Sequence, residues 1–289
     1  MKRALVIEGG GMRGAHTCGA VMALVQEGRV DFDIVVAASA GACTAAFFVS
    51  GQHQLLPIVW GKYLHDGRFI NLRKLATRQS VMDLDFLVHT VFRDLVPLDV
   101  EAVRKSSTQL FMVATDCETG EPKYFDNHCD PILNSLKASA AMPIAYRHPV
   151  VIQNRTYLDG GLSDPIPLQK AIDEGAEEIY LLLTRPEGYR KKPLFLNLLP
   201  RIYQKKFPRL AELITLRHKN YNDLLIRIEK GDFPARLIVI RPQEKLPLNR
   251  LTTNKTKIKA AIEQGFREAT KILKSRNIGD TIDFKATSR

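Results

Sequence analysis

Three short stretches of this sequence carry residue types and spacings that could do acyl-transfer chemistry. The first is Ala37-Ala38-Ser39-Ala40-Gly41, which follows the apolar run Ile34-Val35-Val36. It matches the nucleophile-elbow pattern G-x-S-x-G except that Ala37 replaces the first glycine. Small residues are needed there because the chain must turn sharply from strand to helix, and a bulky side chain would push the two apart. Ser39 would then present its hydroxyl at a helix N-terminus, where a serine that merely caps the helix is the plainer reading. The second stretch, Gly9-Gly10-Gly11-Met12-Arg13-Gly14, also sits between strand and helix. Bare backbone N–H groups at such a turn can face developing negative charge, with Arg13 adding positive charge or tying the loop down. The third, Leu158-Asp159-Gly160-Gly161, puts a carboxylate at a strand end, where it could take the Ser39 proton without a histidine. Read alone, it is an Asp-Gly turn.

Other chemistries can be drawn through the same residues. The glycine run satisfies G-x-G-x-x-G, the dinucleotide fingerprint, but that motif wants an acidic residue about 20 positions on, at the end of the second strand. Asp31 and Asp33 precede that strand, and its end holds Ser39. A Ser39, Asp116, His148 triad has a hydrolase order, but no local spacing supports it. His148 lies in Tyr146-Arg147-His148-Pro149 and reads as a surface turn, while His16 reads as structural packing.

The elements that must hold these residues are legible as alternating apolar strands and helices. Ala4–Ile7 and Ile34–Ala38 read as buried strands, and 14–27 and 40–49 as small-residue helices stopped by Gly28 and Gly51. Leu110–Ala114, with Tyr124-Phe125 as a hairpin partner, 150–158 and Ile179–Thr184 continue the series. Continuous apolar strands separated by helices predict a mainly parallel sheet covered on both faces, an α/β/α three-layer fold. Residues 185–209 are basic, with Phe195, Leu196, Leu198, Leu199, Tyr203 and Phe207 interleaved; helical spacing follows up to Gly231, then a strand at Leu237–Ile240 and a helix over 254–273. The expected division is a catalytic domain over 1–184 and an extension over 185–289 packed upon it.

Composition bounds the function. The 289 residues are 45% hydrophobic and 25% charged, which excludes disordered, collagen-like and disulfide-scaffold classes. A formal charge of +11 favours anionic surfaces. No nucleic-acid recognition motif accompanies the charge, so the basic stretch reads either as peripheral contact with an anionic membrane or as a solvated linker covering the core. Cys18, Cys43, Cys117 and Cys129 lie far apart and form no zinc or redox spacing. With no export signal visible after Met1, cytoplasmic residence is the expectation.

The order of the motifs resembles the patatin-like phospholipase family. The similarity takes in Ala138-Ser139-Ala140-Ala141-Met142-Pro143, Ala114-Thr115-Asp116, the Thr119-Gly120 turn and Tyr124-Phe125, and runs from about Lys2 to Thr184. The tail is similar to the extension of a bacterial subgroup. The resemblance implies a lipid ester as substrate, no metal or other cofactor, Ser39 as nucleophile and Asp159 as base. It makes the loop Gly9, Gly10, Gly11, Met12, Arg13 and Gly14 the oxyanion hole, Ala37, Ala38, Ala40 and Gly41 the elbow, and Gly160 and Gly161 the aspartate motif. A carboxylate of ordinary pKa, about 3.9, is a weak base towards an alcohol, so oxyanion stabilisation must be large. A patatin-fold lipid-binding or regulatory protein with weak catalysis is the alternative, supported by Ala37.

Overall fold

The computed structural model describes residues 1–77, 79–128, 130–193 and 198–286. Its centre is a sheet of eight strands: β1 (Arg3–Ile7), β2 (Ile34–Ala38), β3 (Gln109–Asp116), β4 (Pro122–Asp126), β5 (Val150–Ile152), β6 (Arg155–Asp159), β7 (Glu178–Leu182) and β8 (Arg236–Ile240). The order is β5-β6-β3-β2-β1-β7-β8, with β4 also paired to β3. From β3 through β8 the neighbours along that order run parallel, and the β3–β4, β3–β6 and β5–β6 pairs are antiparallel. The sheet therefore takes one strand, β8, from beyond residue 185.

Why the parallel strands read as unbroken apolar runs is visible in their two faces. Leu5, Ile7, Val35, Ala37, Tyr180 and Leu182 belong to one core. Their neighbours Ala4, Val6, Ile34, Val36, Ile179 and Leu181 belong to the other. Successive side chains point to opposite faces, so burial on both sides demands apolar residues at every position.

The helices divide between those faces. The segments α1 (Gly14–Gln26), α2 (Ala40–Val49) and the single turn α3 (Leu56–Ile58) come first, followed by π-helical stretches over Val59–Tyr63 and Phe86–Leu95. Then come α4 (Val100–Lys105), α5 (Ile132–Ser139), α6 (Leu168–Asp173), α7 (Leu198–Gln204), α8 (Pro208–Lys230) and α9 (Lys255–Ala286). Residues of α1, α2, α5 and α9 fill the first core, and residues of α6 with Tyr221, Leu225 and Ile228 of α8 fill the second. The result is three layers. Helix α8 ends at Gly231, whose φ of +68° places it in the left-handed region that glycine adopts freely.

Helix α9 lies against α1 with the two backbones in close approach. A Cβ on Gly19 would stand 1.9 Å from the Ile262 carbonyl oxygen, and one on Gly265 2.0 Å from that of His16. His16 is fully buried at this seam, with Nε2 2.8 Å from Glu268 Oε2. Burial lowers its pKa, with the Glu268 carboxylate opposing that shift.

Candidate active site

Register brings two of the three motifs side by side. Strands β1 and β2 are parallel neighbours with Ile7 opposite Ala37, so the turns that leave them start level with one another. Two residues further on, Gly9 meets Ser39: a Cβ on Gly9 would stand 3.1 Å from Ser39 Cβ. Ser39 itself adopts φ 56° and ψ −127°, a conformation that stores about 1–3 kcal/mol of strain in a residue other than glycine. The surrounding bonds hold it there. Its N–H donates to Ser139 Oγ at 2.8 Å, and its carbonyl accepts from the amides of Ala42 and Cys43. Gly41 lets α2 start against β1, since a Cβ there would lie 2.8 Å from the Ile7 carbonyl oxygen. Ala37 is wholly buried in the first core, the one that α2 also fills, so its methyl is accommodated by the packing there.

Strand β3 acts as the ruler that brings in the third motif. Val113 pairs with Ala38 on one side and Tyr124 on the other, and Ala114 pairs with Asp159 and Lys123. Because β4 occupies one edge throughout, β2 and β6 must share the opposite edge and meet end to end at residues 113 and 114. Ser39 is the residue that follows β2, and Asp159 is the last residue of β6. Gly160 makes this junction passable, for a Cβ there would lie 2.2 Å from the Val113 carbonyl oxygen. The Asp159 amide donates to the Ala141 carbonyl, the Gly160 amide donates to that of Ser139, and Thr115 Oγ1 donates to the Asp159 carbonyl.

Ser39 Oγ donates to Asp159 Oδ2 at 2.7 Å, and Oδ1 accepts from the Gly161 amide at 2.7 Å. The two side-chain-bearing residues are 8% and 7% exposed. Burial raises the Asp159 pKa above the ordinary carboxylate range; the Ser39 and Gly161 hydrogen bonds, with Arg250 and Arg217 nearby, oppose that rise without cancelling it. A carboxylate so placed is a stronger base than one in water, and it already accepts the hydrogen bond made by the proton an attacking serine must lose.

The glycine loop divides its amides. Gly9 donates to the Pro165 carbonyl, Met12 to that of Arg250, Arg13 to that of Gly10, and Gly14 to those of Gly11 and Met12. Among the described residues, the amides of Gly10 and Gly11 have no acceptor, and both residues line the cavity above Ser39. Of the six-residue loop expected to offer donors, four amides are thus already committed. Ala40 and Gly41, opening α2, also have amides without an acceptor among the described residues. Gly11 has φ +55°, and a Cβ there would meet the Arg250 carbonyl oxygen at 2.6 Å, so only glycine keeps the loop closed against residue 250.

The family model for patatin-like phospholipase matches residues 5–172, more than half of the chain. The chain belongs to the patatin-like phospholipase family. Membership supports lipid hydrolase activity. A second model, a domain of unknown function (DUF6363), matches residues 207–277. The uncharacterized protein YjjU of Escherichia coli K12 is 28% identical over 247 residues, spanning 84% of this chain and 69% of YjjU. The crystal structure of VipD from Legionella pneumophila superposes with a TM-score of 0.52 at 14% identity, covering 95% of this chain and 67% of VipD. The fold is therefore that of the patatin-like proteins.

Two spaces open from Ser39 in this patatin-like chain. One is a cavity of about 210 Å³, walled by the glycine loop, Asp159, Met142, Pro143 and Ile144, and by residues from the extension. Ile144, a β-branched residue at φ 71°, stands 45% exposed at its mouth. The other is a narrow apolar cleft of about 40 Å³, lined by Ala40, Cys43, Trp60, Phe69, Leu87 and Phe92 among others. The His148 reading fails on geometry, because that residue is exposed and Asp116 is instead paired with Arg155 at 2.9 Å.

Several residues at the site have no local motif. Ser139 supports both Ser39 and Gly160, and the similarity of the 138–143 segment was its only signal. Lys191, Arg217, Tyr221 and Arg250 line the cavity from beyond residue 185, and nothing in their local sequence marks them. Phe195 and Leu196 of the basic, aromatic stretch lie outside the described residues, as does Cys129.

Proposed function

We propose that this protein is a metal-independent serine hydrolase of lipid acyl esters that works through a Ser39–Asp159 dyad. The observation that carries the reading is the buried 2.7 Å hydrogen bond from Ser39 Oγ to Asp159 Oδ2, beside two amides free to receive an oxyanion. Ser39 Oγ attacks the ester carbonyl as its proton passes to Asp159. The carbonyl oxygen, now an anion, turns to the Gly10 and Gly11 amides, each donor of this kind being worth about 2.7–4 kcal/mol. Collapse expels the alcohol, which takes the proton from Asp159, and leaves an acyl-Ser39 ester. Water then attacks that ester, giving its proton to Asp159, and the fatty acid leaves as Ser39 recovers the proton. The apolar cleft beside Ala40 and Cys43 supports an acyl chain at this point, since its lining offers almost nothing polar.

On the same reading, residues 1–184 form the catalytic unit and 185–289 an extension that completes the wall of its cavity. Peripheral contact with anionic membranes belongs to the proposal, supported by Arg201, Lys205, Lys206 and Arg209, which are exposed around α7 beside Ile202, itself 62% exposed. Cytoplasmic residence is part of it too.

The test is fatty-acid release from a glycerophospholipid by wild type, Ser39→Ala and Asp159→Asn, with circular dichroism to show that each is folded. Loss of about 10²- to 10⁴-fold in each variant is expected for removal of nucleophile or base. Undiminished release by either folded variant would remove the dyad, and binding without turnover in wild type would favour the lipid-binding alternative.

A further inference from the structure

Among the described residues, several cations are paired with carboxylates. Arg190 is paired with Glu229, Arg155 with Asp116 and Arg68 with Asp66. Around the cavity at Ser39 the pattern breaks. Arg13, Arg185, Lys191, Arg217 and Arg250 line it against two carboxylates, Glu8 and Asp159. Both carboxylates are taken: Glu8 accepts from Tyr221 Oη at 2.6 Å and from the Thr184 amide and hydroxyl, and Asp159 holds Ser39 and Gly161. Among the described residues, none of the five cations has an ion pair or a side-chain hydrogen bond to an acidic group.

The aromatic rings supply what contact there is. Lys191 Nζ sits 3.7 Å over the Tyr221 ring and Arg185 4.2 Å over Tyr189, while Arg13 is only 4% exposed. The Nε atoms of Arg13 and Arg217 are buried with no partner. Burial and the neighbouring Arg217 and Arg250 push Lys191 down to about 6, and burial pushes Arg13 and Arg217 down to about 10. Uncompensated cations held this close are unfavourable unless an anion joins them. The same five also line a wider cleft of about 890 Å³ that continues outward past Asn249 and Thr252. A ligand in that cleft would reach Ser39 from solvent.

We propose that Lys191, Arg217 and Arg250 form a subsite for a phosphate-class oxyanion beside Ser39. Assigning that anion to the headgroup phosphate of the lipid cleaved at Ser39 rests on the function proposed above; the subsite itself rests on the unpaired cations. Arginine offers planar paired donors suited to phosphate oxygens, and several cations around one point favour a multiply charged phosphate over a singly charged carboxylate. All three residues lie in the extension, so the part of the chain without motifs sets the choice of headgroup.

The experiment uses the full chain as wild type, Ser39→Ala, the double variant Arg217→Gln/Arg250→Gln, and Lys191→Met as an independent single change. Thermal unfolding is followed with inorganic phosphate, with acetate, and with sodium chloride at matched ionic strength. Phosphate is expected to raise the melting temperature of wild type and Ser39→Ala beyond either control, and to lose that effect in both subsite variants. In parallel, kcat/KM is compared on a diacyl phosphatidate and on a diacylglycerol lacking the phosphate. The phosphatidate-to-diacylglycerol ratio is expected to fall at least about tenfold in the subsite variants, the loss of one or more charge-assisted hydrogen bonds.

A phosphate shift together with the fall in ratio assigns the lipid headgroup. A phosphate shift with an unchanged ratio assigns free phosphate. A phosphate shift in a wild-type protein that hydrolyses neither ester keeps the subsite and removes the hydrolase reading. No phosphate-specific shift in wild type, or equal loss on both esters in the variants, overturns the proposal.

Discussion

Asp159 answers to two opposed requirements, and its surroundings set the balance between them. It must be ionised to accept the Ser39 proton, yet basic enough to keep it for the duration of the transfer. Burial raises its pKa, and the hydrogen bonds from Ser39 and Gly161 restrain the rise. The sign of the pH dependence follows: activity is complete above the raised pKa and is lost as pH falls through it. The acid limb of kcat/KM should therefore inflect above the ordinary aspartate value of about 3.9, as a pH–rate profile on a neutral short-chain ester would show. An inflection at or below that value would contradict the burial argument. At this scale the motifs were readable, because Ser39, Asp159 and the glycines announce themselves by small neighbours. The division of labour within the glycine loop was not, since the acceptors of the Gly9 and Met12 amides, Pro165 and Arg250, are remote in sequence.

At the scale of elements, β3 is the part on which alignment depends, because β2 and β6 meet along one of its edges. The parallel strands were legible from their unbroken apolar runs. The β5–β6 hairpin was read as one strand because its two-residue turn is Gln153-Asn154, both at positive φ. Asparagine is a usual occupant of such a turn and glutamine is not, so the break carried little signal. Residues 53–108 read as helical, but nothing marked the stretches between α2 and α4 as π-helical, since the buried Leu87, Val88, Val91 and Phe92 keep a spacing that an α-helix also has. The α1–α9 contact was equally hidden, because Gly19 and Gly265 look like ordinary weak points in their helices until the backbones are seen touching. Gly265→Ala should force that seam apart and destabilise the fold by about 1–3 kcal/mol, read as a lowered denaturation midpoint at unchanged m-value. An unaltered midpoint would mean that the helices separate freely.

The whole molecule arranges its +11 charge with purpose in two places. One set of cations is gathered inward around the Ser39 cavity, while Arg201, Lys205, Lys206 and Arg209 stand outward around α7. The sequence displayed the basic stretch but not this sorting, which depends on how 185–193 places Lys191 against Tyr221 of α8. No helix among the described residues is long and apolar enough to cross a membrane. If the outward set meets lipid, vesicles containing phosphatidylglycerol should pellet the protein at low salt and release it as sodium chloride is raised, whereas phosphatidylcholine vesicles should not. Replacing Arg201, Lys205 and Lys206 by Gln should weaken that partition by about a hundredfold at roughly 1 kcal/mol per charge. Equal partition onto both vesicle types would remove the electrostatic contact.

The most direct measurement of the central claim is covalent labelling by a fluorophosphonate, followed by intact-protein and peptide mass spectrometry. The Ser39–Asp159 dyad predicts a single adduct on Ser39 in wild type, none in Ser39→Ala, and labelling slowed by about 10²-fold or more in Asp159→Asn. An unlabelled wild-type Ser39, or labelling of Asp159→Asn at the wild-type rate, would contradict it.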